Sequence, residues 1–177
     1  MKHWYLMGVM ALALTACQST ASKQQADFAN LAVSDFDAKR YMGHWYEVGR
    51  FDFTWEKDLK NVTAQYRLKD DGGIQVINQG VNINTEKAKS TEGKARFNGS
   101  ERRGALEVSF FGPFYSQYNV VKIDPQYRYA LVFGKNTDYV WLLSRDKTMP
   151  ETVKQDYVRY AQQQGYDVSK MVWTQQD

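Results

Sequence analysis

Gly43-His44-Trp45-Tyr46-Glu47-Val48-Gly49-Arg50 is the stretch on which the reading of this chain turns. A glycine stands two residues before a tryptophan, at the start of an alternating run. Side chains alternate across a strand, so Trp45, Glu47, Gly49 and Phe51 share one face of a strand over 45–53. Tyr46, Val48 and Arg50 share the other. Residues 36–42 read as a short helical turn leading into Gly43. Upstream of that, the chain reads as targeting and tether. Downstream, it reads as short strands joined by turns.

Working outward, strands are predicted over 62–69, 74–82, 89–97, 105–111, 115–123, 127–134 and 139–144. Asp70-Asp71-Gly72-Gly73 and Asn98-Gly99 are turn sequences. Gly112-Pro113, Asp124-Pro125 and Lys135-Asn136 separate the later strands. With 45–53 these make eight strands, uninterrupted by a long helix, and every consecutive pair suits an antiparallel hairpin. The expected fold is all-β: an eight-stranded antiparallel up-and-down β-barrel, with no open edge and room inside for one small ligand. On the seventh strand both faces are apolar, so its phase stays open. The connection over 52–61 is long for a hairpin and carries Phe53 and Trp55, which suits a lid.

A C-terminal α-helix follows, packed on the outside of the barrel. Thr148-Met149-Pro150-Glu151 reads as a capping box with proline in the first turn. Val153, Tyr157, Tyr160 and Ala161 form an apolar stripe at helical spacing, and Gly165 ends it. A short last strand is read over 168–174.

Composition narrows the function. The chain has 177 residues, 43% hydrophobic and 15% aromatic, enough for one domain with its own core. Its net charge is +3, and no basic run is interleaved with aromatics, so nucleic acid is not an expected partner. The single cysteine, Cys17, precludes an intrachain disulfide. The two histidines are His3, in the leader, and His44. That supply builds neither a usual zinc site nor a Ser-His-Asp or Cys-His device. No metal, no cofactor and no catalytic residue is expected. Glu47, on the face of Trp45, is the one carboxylate placed to enter a barrel interior; a buried hydrogen bond to a tyrosine or arginine is the plainer reading of it.

Lys2 and His3 precede an apolar run over 6–14, then Leu14-Thr15-Ala16-Cys17. This is a secretory signal, too short to span a bilayer. A cysteine directly after Leu-x-Ala resembles the bacterial lipoprotein box. That resemblance implies cleavage before Cys17, diacylglycerol on its thiol and acylation of the new amine. Several acyl chains anchor a protein stably. Gln18, where aspartate would signal retention, implies the outer membrane. The chain divides into a signal peptide over 1–16, a lipidated N-terminus and flexible tether over 17–34, rich in Ser, Gln, Ala and Asn, and a barrel domain over 35–177.

Taken together the barrel residues resemble the lipocalin family. Three signatures carry this: Gly43-x-Trp45-Tyr46 with Arg50, Thr137-Asp138-Tyr139 before the eighth strand, and Arg145 after it. The resemblance covers about 36–173. It is strongest to bacterial outer-membrane lipocalins, a branch similar to apolipoprotein D, in Asp37-Ala38-Lys39-Arg40-Tyr41 and Phe110-Phe111-Gly112-Pro113-Phe114-Tyr115. It implies that Trp45 plugs the closed end and that Arg145 lies across its ring, a structural signature with Gly43.

Strand alternation proposes the lining: Tyr66, Leu68, Phe97, Leu106, Val108 and Phe110 inward, Asn119, Val121 and Ile123 on the next strand, Trp55 at the mouth. An apolar interior with polar groups at its mouth suits a fatty acid or lysophospholipid. The expected protein binds lipid, does not catalyse, and sits on the bacterial outer membrane with its barrel facing the periplasm. A rival reading is an envelope scaffold or homodimer using Phe114 and Tyr115. A lipid-modifying enzyme using Glu47 ranks below both.

Overall fold

The computed structural model describes residues 27–177. Gly43 opens β1 (Gly43–Phe51) at φ +95°, a left-handed conformation that only glycine adopts freely. The rest of the barrel is β2 (Leu59–Leu68), β3 (Ile74–Asn82), β4 (Ala88–Phe97), β5 (Ala105–Phe111), β6 (Phe114–Ile123), β7 (Tyr129–Phe133) and β8 (Val140–Ser144). Each strand pairs antiparallel with its sequence neighbour, and β1 pairs with both β2 and β8, which closes the barrel. A short β9 (Met171–Trp173) adds to the upper half of β1 through Gly49, Arg50 and Phe51.

The octapeptide does not keep one phase. The ladder to β8 runs Glu47↔Leu143 and then Gly49↔Leu142, so a bulge lies between Glu47 and Gly49. One extra residue reverses the alternation. Trp45 and Glu47 point inward as the alternation predicts. Arg50 then joins them inside, while Val48 and Phe51 turn out toward the helix. Placing Arg50 opposite Glu47 and Phe51 beside it is thereby corrected.

Two apolar cores result. The inner core fills the lower barrel around Trp45, Tyr41, Ile74, Val76, Leu106, Val120 and Val132. The outer core lies between the barrel wall and α2 (Glu151–Gln163), around Phe51, Leu131, Phe133, Leu142, Tyr157 and Ala161. β7 contributes to both, Ala130 and Val132 inside and Leu131 and Phe133 outside. Its two apolar faces follow from burial on both sides.

Helix α2 departs from its expected start. Pro150 holds the N-cap with no side-chain cap bond, so the Thr148 capping box does not form. The other end is a Schellman motif. Tyr166 N–H donates to Ala161 O, Gly165 N–H donates to Gln162 O, and Gly165 has φ +90°. Tyr166 thus turns back onto Phe133, with ring centroids 4.4 Å apart.

The domain also begins earlier than the reading allowed. Phe28–Leu31 form a 3-10 turn, and Phe28 is buried against Phe133 and Tyr166. Val33 N–H donates to Val120 O and Val33 O accepts from Gly104 N–H, strapping this segment over β6. Residues 27–34 are therefore docked on the barrel and are not tether.

Candidate functional site

The floor comes first, because it fixes which end is open. Trp45 is fully buried, and its indole N–H donates to Tyr41 O at 2.8 Å. The Arg145 guanidinium lies 3.8 Å from the Trp45 ring centre. It donates to His44 O at 2.7 Å and to the carbonyls of Arg40, Tyr41 and Met42, which end the short helix α1 (Ala38–Tyr41). A cation over an indole face, with its N–H groups on helix-end carbonyls, is a seal. A Cβ on Gly43 would come within 3.4 Å of Arg145 Nη1. This end has no room for a ligand.

Above the floor lies a cavity of about 160 Å³. Tyr66, Val76, Val108, Phe110, Tyr118 and Leu143 supply much of its wall. At its base the Tyr118 hydroxyl bonds those of Tyr41 (2.6 Å) and Tyr66 (2.9 Å). Burial raises all three phenols above their ordinary values. They are neutral donors and acceptors at physiological pH.

The loop after β1 is a lid tied down from several sides. Phe53 packs edge-on against Trp141 and Tyr139. Trp55 is half-exposed and rests on Phe111, with centroids 4.9 Å apart. Lys89 Nζ donates to Trp55 O at 2.6 Å, and Trp141 Nε1–H donates to Glu56 Oε2 at 3.0 Å. The cavity falls below the roughly 300–1,000 Å³ of most small-molecule sites. A long ligand must therefore part the Trp55–Phe111 contact.

Of the residues proposed from alternation, Trp55, Tyr66, Val108 and Phe110 line this cavity together. Phe97 and Asn119 do not. Phe97 lies at the lower end of β4, packed on the inner core. Asn119 lies between Tyr118 and Val120, both inward, so it faces outward, buried and with neither amide atom hydrogen-bonded. Val121 follows it outward into the second core. Leu68, at the end of β2, is 36% exposed and does not line the cavity. Cys17 lies outside the described residues.

The interior polar group that alternation flagged has its partners. Glu47 Oε1 accepts from Arg50 Nη1 at 2.8 Å and from Thr174 Oγ1 at 2.6 Å. Burial pushes Glu47 up, and Arg50 and Thr174 pull it back. Thr174 follows β9, so a C-terminal strand completes a charge pair begun in the octapeptide. Alternation missed Tyr118, Trp141 and Glu56. The first two sit at ordinary inward positions of β6 and β8. Glu56 lies in an aperiodic loop and left no signal. Among the described residues no group of three metal-ligating side chains is gathered. The arrangement is suited to non-covalent capture of an apolar molecule.

Comparison with known proteins agrees with this geometry. Residues 36–176 match the family described as a lipocalin-like domain. The chain is 53% identical over 144 residues to the outer membrane lipoprotein Blc of Escherichia coli K12, covering 81% of each chain. It is 32% identical over 135 residues to apolipoprotein D of Rattus norvegicus, covering 71% of this chain and 69% of that one. Insecticyanin from the tobacco hornworm Manduca sexta superimposes with a TM-score of 0.66 at 20% identity, over 81% of this chain and 82% of that one. The last shows shared fold alone. With a sealed floor, a closed eight-stranded wall, an outer helix and these relatives, the chain belongs to the lipocalin family.

Proposed function

We propose that this protein holds a single-chain lipid, a fatty acid or lysophospholipid, in its barrel while anchored to the bacterial outer membrane. The observation that carries the proposal is the apolar hollow between the Tyr66–Tyr118 hydroxyls and the Trp55 lid. Each acyl methylene it buries contributes about 0.8 kcal/mol. Ordering the chain and displacing the lid offset part of that gain. The named bacterial relative is an outer membrane lipoprotein, and Cys17 offers the same attachment. Fully extended, the link from Cys17 to Asp27 reaches about 35 Å at most. The barrel would work beside the membrane that holds it, facing the periplasm, storing or moving lipid there.

Organic extraction and mass spectrometry of the purified 27–177 domain, with tryptophan quenching on titration of an acyl ligand, tests the proposal. Recovery of a single-chain lipid and saturable quenching are expected. Absence of any saturable acyl-chain binding would sink it.

One observation favours a second contact. Phe114 is 77% exposed beside half-exposed Phe111, so a second copy of the chain fits there. Sedimentation at rising concentration would show association lost in Phe114→Ser. A monomer throughout would end that reading.

A further inference from the structure

The lid holds a carboxyl group, that of Glu56, that makes no salt bridge among the described residues. Arg50 acts on it through space only, and the four hydrogen bonds of its guanidinium go to other acceptors. Nε and Nη2 meet Asp52 Oδ1 at 3.0 and 2.8 Å. Nη1 donates to Glu47 Oε1 and Thr174 Oγ1 at 2.8 and 3.0 Å. Nη2 also donates to the backbone carbonyl of Glu56 at 2.8 Å. The guanidinium thus fixes the Glu56 backbone and gives its side chain no hydrogen bond. Lys89, the cation on the cavity wall, donates to Trp55 O at 2.6 Å and lies over the Trp55 ring. Among the described residues the Glu56 carboxyl accepts one hydrogen bond, from the Trp141 indole.

Three further observations point the same way. Glu56 lines the cavity, so its carboxyl is reachable by a ligand. Asn78, also on the cavity wall, has its buried Oδ1 without a donor. The rings of Phe53, Trp55 and Trp141 line the same space, and the Lys89 ammonium already lies 5.9 Å over the Trp55 ring, so these walls accept positive charge. Unfilled acceptors and aromatic walls call for a ligand that brings N–H groups and positive charge.

We infer that Glu56 forms a subsite for a ligand ammonium group, so that the cavity selects single-chain amphiphiles with an amine-bearing head over those ending in a carboxylate. This rests on the reading that the cavity holds a single-chain lipid. The group's titration fits the geometry. Burial, and then the charge of Glu47, push Glu56 up to about 8, so it is largely protonated at neutral pH. An arriving ammonium converts the neutral acid to a carboxylate paired with R–NH3+, and one proton leaves to solvent. Asp52 and Glu47 face the same loop and repel a ligand carboxylate, while Arg50 is spent on them.

The test uses the full chain at pH 7. Dodecylamine, dodecanoate and dodecanol share a tail and differ in head. Dodecylamine is expected to bind about tenfold tighter than dodecanoate, the size of one charge-assisted hydrogen bond. Glu56→Gln keeps an acceptor for Trp141 and removes the charge. It should erase that preference, leave dodecanol within about twofold, and abolish the proton release seen by calorimetry in buffers of different ionisation enthalpy. Lysophosphatidylethanolamine against lysophosphatidylglycerol of equal chain length separates the sources. A preference for the first assigns a zwitterionic phospholipid head, and equality assigns a simple amine. Equal binding of dodecylamine and dodecanoate, or a preference that survives Glu56→Gln, overturns the inference while the lipid-binding reading stands. If none of the amphiphiles binds, both fall.

Discussion

Arg145 does at one residue what most of the floor depends on. Its guanidinium covers Trp45 and reaches five backbone carbonyls. Arg145→Ala removes those hydrogen bonds, although Tyr41 O keeps its bond from the Trp45 indole, and uncovers the indole, at a cost of about 2–4 kcal/mol in chemical denaturation. Arg145→Lys should recover only part, because a point charge cannot fork across several carbonyls. Glu56 sets a pH dependence of its own. Its carboxyl ionises at about 8 in the fold against 4.5 ordinarily, so the folded state binds the extra proton between those values. Stability from this group is full below pH 4.5 and is lost as pH rises toward 8. Melting curves across that range should slope downward with pH in the parent, and more gently in Glu56→Gln. Glu47, also raised by burial, acts in the same direction.

At the scale of elements, what was legible depended on periodicity. The strands, the turns and the helical stripe all repeat, and their positions were readable. The β1 bulge does not repeat. One uncounted residue put Arg50 on the wrong face and hid its pairing with Glu47. Gly49 gives the only local hint, since a Cβ there would come within 2.9 Å of the Trp173 ring. The N-terminal strap was hidden by composition, because polar residues around Phe28 look like tether whether or not one aromatic docks. Phe28→Ala removes the ring between Phe133 and Tyr166, and should destabilise the domain by about 3–5 kcal/mol, as Phe-to-Ala changes in packed cores do. Denaturant midpoints would check it. An effect below about 0.5 kcal/mol, typical of exposed sites, would return the segment to tether.

Across the whole molecule, the two ends of the barrel divide the labour. The octapeptide and Arg145 seal one end, and sequence signatures made that end readable. The open end is built from side chains whose inward phase depends on bulges in β5 and β6, and from an aperiodic lid. That is why Tyr66 and Val108 could be placed, while Asn119 was placed on the wrong face and Glu56 was not seen. Trp55 rests on Phe111 at the mouth and narrows it. Trp55→Ala should therefore speed ligand association several-fold in stopped-flow fluorescence, with a smaller change in affinity. The central claim is that the hollow between the tyrosine hydroxyls and the lid takes up an acyl chain. Val108 stands on its wall, and Val108→Trp fills the space. The most direct measurement is native mass spectrometry of the 27–177 domain with a lysophospholipid, parent beside Val108→Trp. The account predicts one ligand per parent chain and none on the folded variant. Equal loading of both would place the ligand elsewhere and contradict it.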